Sequence, residues 1–156
     1  MKHLLIVVLV SIAVSGGIAA AAVAPSKPSQ ILNLFNSGTL CSGSQNTVVD
    51  QVLNPDGTTA TFAIPAGQVL VVTSVDWVSA SVTPNRHWEF VLGTTTAGFT
   101  LGGGAQSDAD GFVSGTLVIP GGLVVKPGVN LCPDIEHAGT SQPVEVRVHG
   151  FLTKDK

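Results

Sequence analysis

Reactive side chains are sparse in this chain, and their densest run is Arg86-His87-Trp88-Glu89. In an extended strand His87 and Glu89 share one face, about 6–7 Å apart, while Trp88, Phe90 and Leu92 fall on the other. An imidazole and a carboxylate so placed can ligate one metal ion or move one substrate proton. Asp134, Glu136 and His137, expected on a loop after Cys132, are able to complete a two-histidine, carboxylate centre for zinc or iron. Simple alternation of solvated and core positions accounts for the same residues without any site.

Cupins hold metals in this way on a related sheet architecture, but their pattern is His-x-His with a Glu a few residues on. Here the strand offers only His87-Trp88-Glu89. Trp77 and Trp88 are the second candidates, as rings that stack on a sugar through apolar area and a polar N–H. The alternative is that they plug the two ends of the core. Asp108-Ala109-Asp110-Gly111 opens like a calcium loop but lacks the third acidic position and the closing Glu, which leaves a plain turn. Glu145, Arg147 and His149 lie on the outer face of the last strand, where cross-strand pairing and solubility explain them. No Gly-x-Ser-x-Gly elbow anchors a hydrolase triad. The Gly-rich stretches 38–43 and 93–104 lack the Lys or helix of a phosphate cradle.

The elements that must position these residues read as strands. Apolar residues make up 44% of the chain and charged ones 11%, Tyr is absent, and Gly, Val and Thr abound, a mix that favours pleated strands and tight turns. Thr47–Leu53, the turn Asn54-Pro55-Asp56-Gly57, and Thr58–Ile64 form the clearest hairpin signal. Gln68–Leu92 reads as the central hairpin, broken at Thr83-Pro84-Asn85, with a bend near Ser79–Ser81 because the first arm is long. Ile31–Phe35 is expected as a strand or extended arm and Asn36–Asn46 as a loop. Pro120-Gly121-Gly122 and Lys126-Pro127-Gly128 are expected as turns flanking short strands, and Pro143–Leu152 alternates strictly. About eight short strands imply an all-β fold, an antiparallel β-sandwich of jelly-roll-like type, over residues 47–156. Residues 25–46 are expected as a linker and N-terminal arm. Val69–Val72 and Leu123–Val125 are apolar at every position, so both faces of those strands call for burial. The arm or a second subunit would supply it, which makes a homo-oligomer an expectation.

The first 24 residues read as a cleaved export signal. Lys2 and His3 precede an apolar run from Leu4 to Val14 interrupted only by Ser11, and a small-residue tail follows. Cleavage after Ala24 fits Ala22-Val23-Ala24, but Pro25 would follow the cut, so cleavage after Ala22 is the rival. An uncleaved anchor is the alternative, since the stretch is about long enough to span a bilayer. Signal cleavage would leave a secreted or periplasmic protein with no membrane span. In that compartment Cys41 and Cys132 are expected to form one disulfide closing a loop of about 90 residues. A net charge of −3 and the lack of any basic run exclude a nucleic-acid footprint.

"IPAGQVLVVTSVDW", "GTLVIPGGLVVKPG" and the terminal "VEVRVHGFL" together resemble a group of small exported bacterial proteins of unknown function. The likeness spans most of residues 60–152, with Phe151 where the group tends to have Tyr. It implies a jelly-roll-like β-sandwich and carries no functional residue with it. The expected function is a secreted, non-enzymatic binding or structural module without a cofactor, with a glycan, a surface component or its own copies as partners. The alternative is a small cupin-like enzyme holding a divalent transition metal through His87, Glu89 and the Asp134–His137 segment.

Overall fold

Alternating β-branched sequence produces ten strands and no helix among the described residues of this computed structural model, which are 25, 27, 31–41, 46–54, 56–80, 82–94, 100–138 and 140–155. The strands are β1 (Ile31–Leu40), β2 (Thr47–Leu53), β3 (Thr59–Thr61), β4 (Gln68–Ala80), β5 (His87–Thr94), β6 (Thr100–Gln106), β7 (Phe112–Val125), β8 (Leu131–His137), β9 (Thr140–Gln142) and β10 (Glu145–Lys154). They form two antiparallel sheets, a six-stranded one in the order β3-β2-β1-β10-β4-β7 and a four-stranded one in the order β6-β5-β8-β9. The sheets pack face to face as a jelly-roll-like sandwich. The predicted export signal and its cleavage points lie outside the described residues.

The core is built from one face of each sheet. Leu34, Val72, Val75 and Val148 from the larger sheet meet Phe90, Leu92 and Ile135 from the smaller, all almost fully buried. Trp77 and Phe90 stack across the sandwich, with ring centroids 5.3 Å apart and planes within 5°. Opposite Trp77 in the ladder is Gly115, and a Cβ there would come within 2.7 Å of the indole. The glycine is therefore the floor on which the Trp77 ring lies.

Gln68–Leu92 is not a hairpin. Its first arm, β4, belongs to the six-stranded sheet and its second, β5, to the four-stranded one. The turn residues are right, with Asn85 at φ 55°, but the chain changes sheet there, so Trp77 faces Phe90 across the core instead of lying beside it. The return from β6 to β7 crosses at the same corner, and the two connections are sewn together. Val82 N–H bonds to Gly111 O at 3.1 Å, Ser107 N–H to Arg86 O at 2.8 Å, and Asn85 N–H to Asp108 O at 3.1 Å. The buried Ser107 hydroxyl donates to Thr83 O at 2.7 Å and accepts Arg86 N–H at 3.0 Å. Asp108 caps the return turn, its Oδ1 accepting from Asp110 N–H and Phe112 N–H, so this segment is the plain turn expected of it.

Other local expectations shift in the same way. Thr47–Leu53 and Thr59–Thr61 do pair as a hairpin, with Gly57 at φ 82° in its turn. Asn36–Leu40 continues β1 instead of looping. The long strand β4 bulges at Thr73, where both neighbouring ladders slip, and not near Ser79. Pro120-Gly121-Gly122 does not reverse the chain. It is a bulge inside β7, between the pairs Val72–Leu123 and Ser74–Val118. That bulge lays Gly122 against the Val71 side chain, and Val69, Val71 and Phe151 form a small second cluster on the outer face. All of Val69–Val72 is thus buried within one chain, and a second subunit is not needed to cover it.

Cys41 and Cys132 form the expected disulfide, with Cα atoms 5.9 Å apart and a sequence separation of 91. It ties the end of β1 to β8, one sheet to the other, and is the mark of an oxidising, extracytoplasmic compartment. In the chain-entropy description such a loop contributes at most about 4–5 kcal/mol. Urea unfolding with and without reductant should show the reduced protein less stable by up to that amount, and Cys41→Ser with Cys132→Ser should reproduce the loss without reductant.

Candidate functional site

The five metal-ligand candidates are dispersed by the ladder that holds them. Asp134, Glu136 and His137 lie on strand β8 and not on a loop. The register sets Glu89 opposite Glu136, two like charges on the outer face of the smaller sheet. His87 shares that face and lies over Gly104, whose missing side chain makes room for the imidazole. His137 has the opposite parity. Its ring sits 5.4 Å from that of Trp88, and its Nδ1 is 2.7 Å from the His87 carbonyl oxygen. Asp134 is occupied structurally: its Oδ1 accepts from Asn46 Nδ2 at 2.7 Å, from the Ser141 hydroxyl and from Ile135 N–H. Buried Asn46 in turn accepts Val144 N–H at 2.8 Å, so this cluster pins the start of β2 to β8 and β10. Among the described residues no group of three or more His, Cys, Asp or Glu side chains converges to hold a metal ion.

The stacking candidates are core residues. Trp77 is 3% and Trp88 2% exposed, so neither ring offers a face to a sugar. The Trp88 indole N–H points to Thr83 O at 3.4 Å, part of the sewn corner.

A different constellation lies on the outer face of the six-stranded sheet. Four consecutive strands contribute one polar side chain each: Asn33 from β1, His149 from β10, Asp76 from β4 and Thr116 from β7. Register places Asn33 directly opposite His149 and Asp76 directly opposite Thr116. His149 Nδ1 lies 2.7 Å from Asn33 Oδ1, and its Nε2 lies 2.9 Å from Asp76 Oδ2. Thr116 donates its hydroxyl to Asp76 Oδ1 at 2.7 Å. The ladder closes in two proton arrangements. Either both ring nitrogens carry hydrogen and the imidazole is a cation, or the Asn33 amide donates to a neutral ring. The Thr116 hydroxyl, first, and then the His149 hydrogen bond hold the Asp76 carboxyl below its ordinary value of 3.8, and the Arg147 charge directly opposite adds to this.

Asn33, His149 and Asp76 line a groove of about 920 Å³ that runs over β1, β10 and β4, with Phe35 and Leu53 as its apolar wall and Glu145 and Arg147 at its rim. Both ring nitrogens of His149 are engaged with Asp76 and Asn33, so neither is directed at a hydroxyl or thiol nucleophile. The arrangement is a rigid array of donors and acceptors, suited to holding a polar ligand. It was missed in the sequence because its parts come from both ends and the middle of the chain. One signal was present: Asp76 is the only charge in the thirteen residues of β4.

No family model, curated protein or solved structure matches this chain. No helix among the described residues is long and apolar enough to cross a membrane.

Because the folded carboxyl of Asp76 titrates below 3.8, its contribution is full above that value and fades as the pH falls through the lowered one. The side chain is 49% exposed, so solvent screening keeps the contribution at the scale of surface pairs, about 0–1 kcal/mol. Thermal melts from pH 7 to pH 2 should show wild type more stable than Asp76→Asn at neutral pH, with the gap closing below pH 3.8.

Proposed function

We propose that this chain is an extracytoplasmic, non-enzymatic binding module, exported through its N-terminal segment, that holds a glycan in the outer-face groove of its larger sheet. The observation that carries the reading is the groove itself: carboxylates from Asp76 and Glu145, the Arg147 guanidinium, and the amide and imidazole of Asn33 and His149 around one concavity with Phe35 and Leu53. A sugar presents hydroxyls that both donate and accept, along with apolar C–H faces. Carboxylates and guanidinium satisfy the first in pairs, and the phenyl and leucyl groups cover the second. The ladder fixes Asp76 and His149 before a ligand arrives, so little side-chain entropy is lost on binding. The Cys41–Cys132 bridge suits the compartment in which such ligands occur.

Titrating isotope-labelled protein with a panel of neutral and acidic oligosaccharides tests the reading by amide chemical shifts. Shifts are expected at Asn33, Asp76, Arg147 and His149, and Arg147→Ala should weaken binding about tenfold, the loss of one charge-assisted hydrogen bond. An unchanged spectrum across the panel, or shifts confined to the smaller sheet, would overturn it.

A further inference from the structure

The outer edge of the six-stranded sheet is strand β7, and it is unlike the other sheet edges. The edge strands β3 and β9 have three residues each, too short to template a further strand, and the edge strand β6, though uncharged, carries three consecutive glycines and no large apolar side chain left in solvent. Strand β7 runs from Phe112 to Val125 without one charged residue, and its first proline is Pro120, at the bulge. Sheet proteins blunt exposed edges with charge, proline or short strands, because unpaired N–H and C=O groups invite pairing. None of these devices interrupts Phe112–Ile119. Three of the large apolar side chains left in solvent lie on this strand: Phe112 at 47%, Val118 at 66% and Val124 at 55% exposure.

We infer that this edge pairs with the same edge of a second copy. The seven residues Phe112-Val113-Ser114-Gly115-Thr116-Leu117-Val118 read alike in both directions by residue class. An antiparallel pairing with its two-fold axis at Gly115 places Phe112 opposite the second copy's Val118. It places Val113 opposite Leu117, Ser114 opposite Thr116, and glycine opposite glycine on the axis. Phe112 and Val118 then each gain an apolar cross-strand neighbour, and each hydroxyl gains a hydroxyl. An isologous interface requires a surface that is its own complement, and a class palindrome on an open edge supplies one. The Asp108–Gly111 turn bounds the paired segment at one end and the Pro120 bulge at the other. Two six-stranded sheets become one continuous sheet.

Sedimentation equilibrium of the secreted protein, recovered from expression of the full chain, tests the inference together with hydrogen exchange at low and high concentration. A dimer is expected, with amide exchange in 112–118 slowing as concentration rises. Val118→Lys and Ser114→Lys, both at exposed positions, should sediment as monomers with unchanged circular dichroism and a melting temperature that no longer rises with protein concentration. A wild-type monomer at every concentration, a dimer that survives both lysines, or protection that develops on another surface would each overturn it. None of these outcomes depends on the glycan reading, because no ligand is present.

Discussion

The placement of β10 between β1 and β4 is the interaction on which the rest depends. The last strand of the chain fills the middle of the larger sheet, pairing with Ile31–Phe35 on one side and with Gln68–Val78 on the other. Without it, β1, β2 and β3 have no connection to β4 and β7. Val144, Val146 and Val148 complete the inner face, and Gly150 lets the backbone of Val71 approach where a Cβ would collide with its carbonyl oxygen. The same strand carries Glu145, Arg147 and His149 outward. Core and groove are therefore two faces of one strand, and any slip of register by one residue would exchange them. Contacts between the two ends of a chain form late, since loop-closure entropy precedes them, and this topology is a slow-folding one.

The second constraint is how the chain passes between its sheets. Two crossings share one corner, where Ser107 joins the carbonyl of Thr83 to the amide of Arg86. At the other end of the smaller sheet the disulfide holds Cys41 to β8. The sandwich is closed by hydrogen bonds at one place and by a covalent bond at another, and the Trp77–Phe90 stack lies between the sheets they join. This explains why so little of the chain's chemistry is free to act. Asp134 and the two tryptophans, reactive on paper, are consumed in holding the sheets together.

What could be read from sequence was periodicity and turn chemistry, and both are local. Alternation in Pro143–Leu152 and the Asn54–Gly57 turn gave strands and a hairpin that the structure contains. The same grammar could not tell a hairpin from a sheet crossing at Thr83-Pro84-Asn85, or a turn from a bulge at Pro120-Gly121-Gly122, because those differ only in what the next strand pairs with. His87 and Glu89 stood out because they are close in sequence. Asp76 and His149 are 73 residues apart and meet at 2.9 Å. Their meeting follows from strand order, which no local pattern encodes.

Thr116 connects the groove to the open edge. It is the last member of the polar ladder, and it lies one residue from the proposed two-fold axis. In the paired form Ser114 of the second copy stands opposite it, so the row Asn33, His149, Asp76, Thr116 ends against a hydroxyl of the second copy. The apolar ranks do the same: Phe112 and Val118, exposed in one chain, close against each other on the same outer face. Substituting Thr116 would then disturb both the carboxyl of Asp76 and the edge, whereas Val118 touches only the edge. That difference gives the polar face and the pairing edge separate handles on one strand.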